Sequence, residues 1–282
     1  MVPSAVLPVA IHEPLERYLT EHLELPILPE AAIQIIALCQ DPDADAQDIH
    51  AALERDPSLS SHVLRIANSA MFAPVEPIAS LKQAVNRLGM TTIRNLALAV
   101  SLQGRVFCSK QHEDLTRRMW AHSALAAVFA RELARRLRRN SEMAFLWGLM
   151  HDVGRPLVLQ AAIERPELLS VDGEGGQLLE AAMDTFHARV GARLVQAWGL
   201  PYPIAAVIAA HHEPESAGEH ARDARITRLA DVLAHWALEE DLEAEDFPLD
   251  DLVIAELGLS KTEMGLVLAL RQQALSCALA LG

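Results

Sequence analysis

The chain has 282 residues, of which 51% are hydrophobic and 22% are charged. This length suffices to bury a large core, and the composition excludes a disordered tail, a collagen-like repeat and a low-complexity linker protein. With 38 acidic and 24 basic residues, the net charge is -14, which argues against nucleic acid or an anionic membrane surface as a primary partner.

Alanine and leucine carry most of the apolar content, whereas aromatic residues make up only 4% of the chain. Because both residues favour helices, the sequence predicts an all-α fold. The three cysteines, Cys39, Cys108 and Cys277, show no CxxC spacing, so neither a disulfide framework nor a thiolate zinc site is predicted. No signal-peptide or membrane-spanning pattern is evident, and a cytoplasmic location is expected.

The N-terminal part of the sequence is predicted to form a loose extension followed by a subdomain of short helices. Residues 1–24 are interpreted as the extension, because the apolar start Met1–Ile11 lacks the features of a signal peptide and helical punctuation repeats only from Leu25 onward. Residues 25–107 are interpreted as the subdomain. Its helix-start and helix-end signals are Pro29, the pair Asp56-Pro57, Ser80, a left-handed Gly89, and a cap at Thr91 or Thr92.

The second half, residues 108–282, is predicted to form a further helical subdomain with C-terminal helices. It contains a long helix over Leu115–Arg139 and two exposed loops, Val171–Gly176 and Ser216–His220. The segment Trp198–Pro201 predicts a helix end, with Gly199 just past the last helical residue. The segment Ser260–Glu263 is typical of a capping box.

Histidines and aspartates recur through this second half at predicted helix positions and helix ends. Taken singly, each histidine is more often a hydrogen-bonded structural residue than a ligand. Imidazole and carboxylate groups without thiolates suit iron, manganese or zinc, and several helices together can build such a site. The candidate metal ligands are His122, His151, Asp152, His187, His211, His212 and Asp231.

The order of these residues resembles the HD superfamily of metal-dependent phosphohydrolases, and a wider set of motifs resembles its HDOD family of bacterial signalling domains. The segment Leu149–Gly154 is similar to the HD signature. The HDOD motifs are Leu25–Pro29, Arg55–Leu59, Ala67–Ala70, Ala84–Gly89, Gly191–Pro201 and Ile208–Pro214.

The HDOD resemblance implies a helical N-terminal subdomain packed on an HD-like bundle and a regulatory output role, usually without catalysis. The seven candidate ligands match positions that hold a two-metal centre in the related HD-GYP phosphodiesterases of cyclic di-GMP. No Gly-Tyr-Pro motif follows Glu213, however, and arginines stand at Arg118 and Arg155 where that enzyme family has a glutamate and a lysine. These two arginines are candidate anion-binding residues, or ordinary surface arginines paired with acidic neighbours.

The leading hypothesis is therefore a non-catalytic signal-transduction output domain, partnered by a signalling protein or receiver domain. Its HD-type pocket is expected to bind one or two divalent metals, with a nucleotide as a candidate ligand and no catalytic residue assigned. The alternative is a metal-dependent phosphohydrolase or phosphodiesterase acting on a nucleotide or cyclic dinucleotide. A third interpretation, in which the histidines are purely structural, predicts no metal.

Overall fold

The computed structural model describes residues 7–69, 71–72, 74, 76–169, 175–249 and 252–281. Within these residues the protein contains fifteen α-helices, two 3-10 helices and no strand, which confirms the predicted all-α fold. The α-helices are α1 (Val9–Glu21), α2 (Glu30–Leu38), α3 (Ala46–Glu54), α4 (Pro57–Ala67), α5 (Leu81–Leu88), α6 (Met90–Arg105), α7 (Glu113–Arg136), α8 (Ser141–Met150), α9 (Gly154–Glu164), α10 (Gly175–Ala197), α11 (Tyr202–Ala210), α12 (Ala221–Leu238), α13 (Leu252–Leu257), α14 (Lys261–Leu268) and α15 (Arg271–Leu281). The 3-10 helices are Pro214–His220 and Ala244–Asp246.

The chain forms two compact units, each assembled from two separate segments. Unit 1 comprises Met1–Pro26 and Met150–Ala224, and unit 2 comprises Ile27–Leu149 and Arg225–Gly282. These bounds differ from the predicted subdomains because α1 packs with α9 and α10, and because α14 and α15 pack with α7. In unit 2, helices α2 to α6 pack against one another, so the short helices do form a common core.

The predicted loose extension is wrong, because residues from Val9 onward form helix α1. Leu15 and Leu19 are 0% and 1% exposed, so one face of this helix belongs to the core of unit 1. The Tyr18 hydroxyl donates a hydrogen bond to Glu164 Oε2 of α9 over 2.6 Å. The apolar face of α1 therefore packs against α9 and α10, which lie far away in the sequence.

Several helix starts follow the predicted capping chemistry. Asp56 accepts a hydrogen bond from the Leu59 amide over 3.0 Å, and Pro57 is the first residue of α4. Ser260 and Glu263 form the predicted capping box at the start of α14. These polar side chains satisfy amides that the first helical turn leaves without partners.

The threonine cap predicted for α6 is wrong. This helix begins at Met90, directly after Gly89, whose φ of 81° confirms the predicted positive φ. Thr91 lies inside the helix, and Thr92 donates instead to Glu142 Oε2 over 3.2 Å. The Thr92 hydroxyl therefore makes a tertiary hydrogen bond with Glu142 instead of capping the first turn of α6, as the local sequence pattern had indicated.

The two predicted loops have different outcomes. Ser216–His220 is largely exposed and lies within the 3-10 helix Pro214–His220, which is interrupted at Gly218 by a non-helical φ of 58° and ψ of -120°. Most of Val171–Gly176 lies outside the described residues, and its last two residues begin α10. Among the described residues, no single helix is long and apolar enough to cross a membrane, although the bent pair α14 and α15 passes that test jointly by length and composition.

Helix α10 ends as predicted, at Ala197, and Gly199 follows with a φ of 66°. We expect Gly199→Val to lower the free energy of unfolding by about 1–2 kcal/mol, because a β-branched residue strains this left-handed conformation. Thermal unfolding of the purified variant measures the change. Gly199→Asn should cost less, since asparagine tolerates this conformation, and an unchanged Gly199→Val melting temperature would contradict the prediction.

Candidate metal centre

Each compact unit brings together a group of the sequence-predicted ligands. In unit 1, the imidazole cluster consists of His151, Asp152, His187, His211 and His212. In unit 2, the His122 cluster consists of His122, Asp231 and His235.

The residues of the imidazole cluster come from three segments of unit 1. His151 and Asp152 lie in the turn between α8 and α9, His187 lies on α10, and His211 and His212 directly follow α11. The first residue of α9 is Gly154, where a Cβ atom would stand 2.0 Å from the backbone oxygen of His187. Glycine at this position therefore allows the start of α9 to lie against the turn of α10 that carries His187.

The Nε2 atoms of three histidines converge beside one carboxylate oxygen. His187 Nε2 lies 3.3 Å from His211 Nε2, 3.0 Å from His212 Nε2 and 3.2 Å from Asp152 Oδ1. Asp152 Oδ1 is also 3.7 Å from His151 Nε2. Ligands that each lie about 2.1 Å from one metal ion are themselves roughly 3.0–3.4 Å apart in octahedral or tetrahedral geometry. The three distances from His187 Nε2 fall within that range, whereas the distance from Asp152 Oδ1 to His151 Nε2 is longer.

Backbone carbonyls fix the protonation of two of these rings. His187 Nδ1 lies 2.7 Å from Met183 O, and His211 Nδ1 lies 2.7 Å from Ile208 O. Because a carbonyl oxygen only accepts, each Nδ1 carries the hydrogen and each Nε2 presents a lone pair. Metal-binding histidines are commonly held in this way.

The two lone pairs provide a test of whether a metal fits. In the neutral rings, His187 Nε2 and His211 Nε2 are both acceptors, yet they lie 3.3 Å apart with no hydrogen available to either for a bond between them. Both rings are 0% exposed, so bulk water does not separate them. A cation held by His187, His211 and Asp152 would remove this repulsion, so the donor set fits a divalent metal.

Burial keeps the imidazoles of His187 and His211 neutral. It lowers the pKa of His187 to about 4, with Arg155 and His212 adding to the effect and Asp152 opposing it. Burial, together with the neighbouring His151, His212 and His187, also holds the pKa of His211 well below its ordinary value. The neutral ring is the form that binds metal, so the cluster is ready to bind a cation near pH 7.

In the metal-free protein, we expect stability to fall as the pH is lowered from about 6.5 to about 4. Below pH 6.5 the unfolded chain protonates His187, whereas the folded chain does so only near pH 4. The difference contributes about 3 kcal/mol of stability that is present above pH 6.5 and lost across this interval. Urea unfolding with a chelator at several pH values measures it. A His187→Gln variant with the same pH dependence as the parent protein would refute the assignment.

Asp152 links the imidazole cluster to Arg155. Its Oδ2 lies 2.9 Å from Arg155 Nε, while its Oδ1 faces His187. Arg155 also contacts Asp184 at 2.5 Å and Glu180 at 3.4 Å. Burial alone lowers the pKa of Arg155, but Asp152, Asp184 and Glu180 together raise it above its ordinary value. The guanidinium is therefore surrounded by three carboxylates. This is the arrangement expected of an arginine paired with acidic neighbours, and the carboxylates oppose an added anion.

The His122 cluster is smaller and more open. Asp231 Oδ1 lies 3.0 Å from His122 Nε2 and 3.1 Å from His235 Nδ1. His122 is buried, whereas His235 is exposed. His235 was absent from the sequence-predicted set, although its position four residues after Asp231 on α12 places both on one helix face.

Arg118, the other candidate anion-binding residue, is exposed on α7 one turn before His122. Its anion-binding role stays a prediction.

The convergence of all seven predicted ligands on a single pocket also stays a prediction. Within each unit, the structure brings together the predicted ligands that the unit contains.

Comparisons with known proteins agree with this helical architecture. The HDOD domain family profile matches residues 25–214. An uncharacterized protein of Treponema pallidum is 29% identical over 203 residues, which cover 70% of this chain and 39% of that protein. Ribonuclease Y of Mycoplasmoides gallisepticum is 31% identical over 121 residues, 42% of this chain and 19% of the enzyme. The chain thus matches well under half the length of either relative.

Solved structures share the fold over almost the whole chain. A candidate metal-dependent phosphohydrolase from Shewanella amazonensis aligns with a TM-score of 0.76 and 22% identity, covering 96% of this chain and 100% of that one. An HDOD domain protein of unknown function from Geobacter sulfurreducens aligns with a TM-score of 0.66 and 24% identity, covering 95% and 96%. A candidate signal transduction protein from Marinobacter aquaeolei aligns with a TM-score of 0.70 and 24% identity, covering 96% and 65%.

Proposed function

The chain belongs to the HDOD domain family, and from this premise we propose that it is a signal-transduction output module with a metal-binding imidazole cluster. The observation that carries the metal assignment is the pair of buried Nε2 lone pairs, on His187 and His211, that face each other beside Asp152. In this proposal the module acts by binding a signalling protein or receiver domain in the cytoplasm of a bacterium, rather than by turnover.

The ligands in this proposal are Asp152 Oδ1 and the Nε2 atoms of His187, His211 and His212, with His151 beside the carboxylate. Nitrogen and oxygen donors without thiolate suit iron, manganese or zinc. Met183 O and Ile208 O hold two of the rings in the binding tautomer. When bound, a divalent cation supplies a positive charge that attracts the phosphate or carboxylate of a ligand.

The surroundings of Arg155 support binding without hydrolysis. A phosphodiesterase needs cationic contacts to the substrate phosphate in addition to its metal. Arg155 stands beside the imidazole cluster, but Asp152, Asp184 and Glu180 already occupy its guanidinium. We therefore expect a nucleotide, if it binds, to remain intact.

Metal content of the protein purified without chelators tests the proposal. We expect at least about one equivalent of iron, manganese or zinc by elemental analysis, reduced at least tenfold by His211→Ala. His62→Ala is the matched control, because His62 is a half-buried histidine on α4 that belongs to neither cluster, and its loss should leave the metal content unchanged. A metal-free parent protein would refute the metal assignment and favour structural histidines.

Turnover assays address the hydrolase alternative. The metal-loaded protein is incubated with a panel of nucleotide phosphoesters and cyclic dinucleotides, cyclic di-GMP included. We expect no product above the level given by Asp152→Ala. Hydrolysis by the parent protein that this variant abolishes would instead establish a metal-dependent phosphohydrolase.

A further inference from the structure

The two carboxylate oxygens of Asp152 face different groups. Oδ1 lies 3.2 Å from His187 Nε2 and 4.0 Å from His211 Nε2, on the side of the proposed metal ligands. Oδ2 lies 2.9 Å from Nε of Arg155. A carboxylate that bridges two metal ions places one oxygen on each of them. In this protein a guanidinium stands at the second oxygen.

Three carboxylates surround the Arg155 guanidinium. Besides the contact with Asp152, Asp184 Oδ1 lies 2.5 Å from Nη2 and Glu180 Oε2 lies 3.4 Å from Nη1. Asp184 and Glu180 are four residues apart on α10, so they share one face of that helix. A set of carboxylate oxygens of this kind also suits Mg²⁺, Mn²⁺ or Ca²⁺. The guanidinium therefore occupies a place that a metal ion can fill.

The contact between Arg155 and Asp152 depends on charge more than on a directed hydrogen bond. Within the part of the chain that the structure describes, the buried Nε of Arg155 makes no hydrogen bond, although it lies 2.9 Å from Oδ2. Nη1 and Nη2, in contrast, donate to Glu180 and Asp184. A contact that depends on charge is one that a metal ion can also make.

The charges around Arg155 balance with a single metal ion. The rings of His187 and His211 are neutral, because burial lowers the pKa of both. One divalent cation and one guanidinium together neutralise the three carboxylates that contact Arg155. A second divalent cation beside the guanidinium would be repelled at short range.

We propose that the Arg155 guanidinium takes the place of a second metal ion, so that the imidazole cluster binds one metal and forms no carboxylate-bridged pair. This role rests on the metal binding proposed above and adds the residue that sets the number of ions. Arg155 is a positioning residue, since it contacts Asp152 and not the metal. Its removal leaves three carboxylates that a second cation can bind.

Electron paramagnetic resonance of the full chain loaded with Mn²⁺ tests this role. In the parent protein we expect the signal of isolated Mn²⁺ ions. Arg155→Ala should bind about one equivalent more than the parent, and its spectrum should show spin coupling, because Asp152 then bridges two ions. Arg155→Lys keeps a positive charge and should retain the uncoupled spectrum. Mn²⁺ should also raise the melting temperature of Arg155→Ala by at least about 5 °C more than that of the parent.

Two further variants serve as controls. Arg189→Ala removes another arginine of unit 1, one that pairs with Glu16 at 2.7 Å, and it should change neither the Mn²⁺ content nor the spectrum. Adding Asp184→Asn to Arg155→Ala removes one of the three carboxylates. The additional equivalent and the spin coupling should then be lost, while the first ion stays bound.

The possible failures are distinguishable. A parent protein that binds no Mn²⁺ would overturn the proposed metal function and, with it, the role of Arg155. A spin-coupled pair in the parent would overturn the role of Arg155 alone, whether or not the variants fold. The same holds for an Arg155→Ala protein that gains no Mn²⁺ or stays unfolded with Mn²⁺ present, since the ion is expected to replace the stabilising charge of the guanidinium.

Discussion

Replacing Gly154 by alanine is expected to lower the free energy of unfolding by at least about 3 kcal/mol. The added Cβ would stand 2.0 Å from the backbone oxygen of His187 and 2.7 Å from its carbonyl carbon. These are backbone atoms inside α10, so they cannot rotate away as a flexible side chain would. Relief requires α9 and α10 to separate, which would also displace His187 from the imidazole cluster. We therefore expect lower stability and weaker metal binding together.

Thermal and urea unfolding, combined with metal titration, measure both effects of Gly154→Ala. Gly104→Ala is the matched control, since a Cβ at this exposed position in α6 meets no atom within 4 Å. It should be neutral or stabilising by up to about 1 kcal/mol, because alanine favours the helix. A Gly154→Ala protein as stable as the parent would show that the two helices are not in the close contact described above.

Asp152→Asn is expected to weaken metal binding by at least about 100-fold while leaving the shape of the side chain nearly unchanged. The substitution removes the negative charge that faces His187 at 3.2 Å and that holds Arg155 at 2.9 Å. Both losses act in the same direction, because the cation loses an anionic ligand and a neighbouring guanidinium gains freedom to approach it. Titration with zinc or manganese, followed by calorimetry, measures the affinity.

Asp184→Asn separates the two roles of Asp152. Asp184 contacts Arg155 at 2.5 Å, and no contact of it with a histidine is described. Its loss should change metal affinity less than tenfold, since the ligand set is intact. If Asp184→Asn weakened binding as strongly as Asp152→Asn, the effect would come from the charge on Arg155 and not from a ligand, and the assignment of Asp152 as a ligand would be wrong.

The parts of the fold that sequence predicts well are those decided within a few residues. The Asp56-Pro57 start, the Ser260 capping box and the positive φ at Gly199 all follow from local hydrogen bonding or sterics. Helix α1 was missed because its stability depends on burial against α9 and α10, over 130 residues away in the chain. The Thr92 hydroxyl was misassigned for the same reason, because Glu142 is a tertiary partner.

The candidate site likewise combines features that the local sequence predicts with features that depend on residues from other helices. Residue types and order were enough to nominate the members of the imidazole cluster, because imidazole and carboxylate groups have few common roles when grouped. The carboxylates of Glu180 and Asp184 around Arg155 were not predicted, since they come from another helix and carry no local signature. The spacing of His235 to Asp231 is a sequence signal for a shared helix face, but His235 is not among the positions that the family resemblance implies.

The two-segment construction of each compact unit has a consequence for synthesis on the ribosome. Helix α1 is translated before its partners α9 and α10, which emerge only after the whole of Ile27–Leu149 has been translated. Helix α7, in turn, is translated well before its partners α14 and α15. Neither unit can therefore complete its core until these later helices have emerged, and contacts of such long sequence separation slow folding. The apolar faces of α1 and α7 are the segments that a nascent-chain chaperone would have to cover in the meantime.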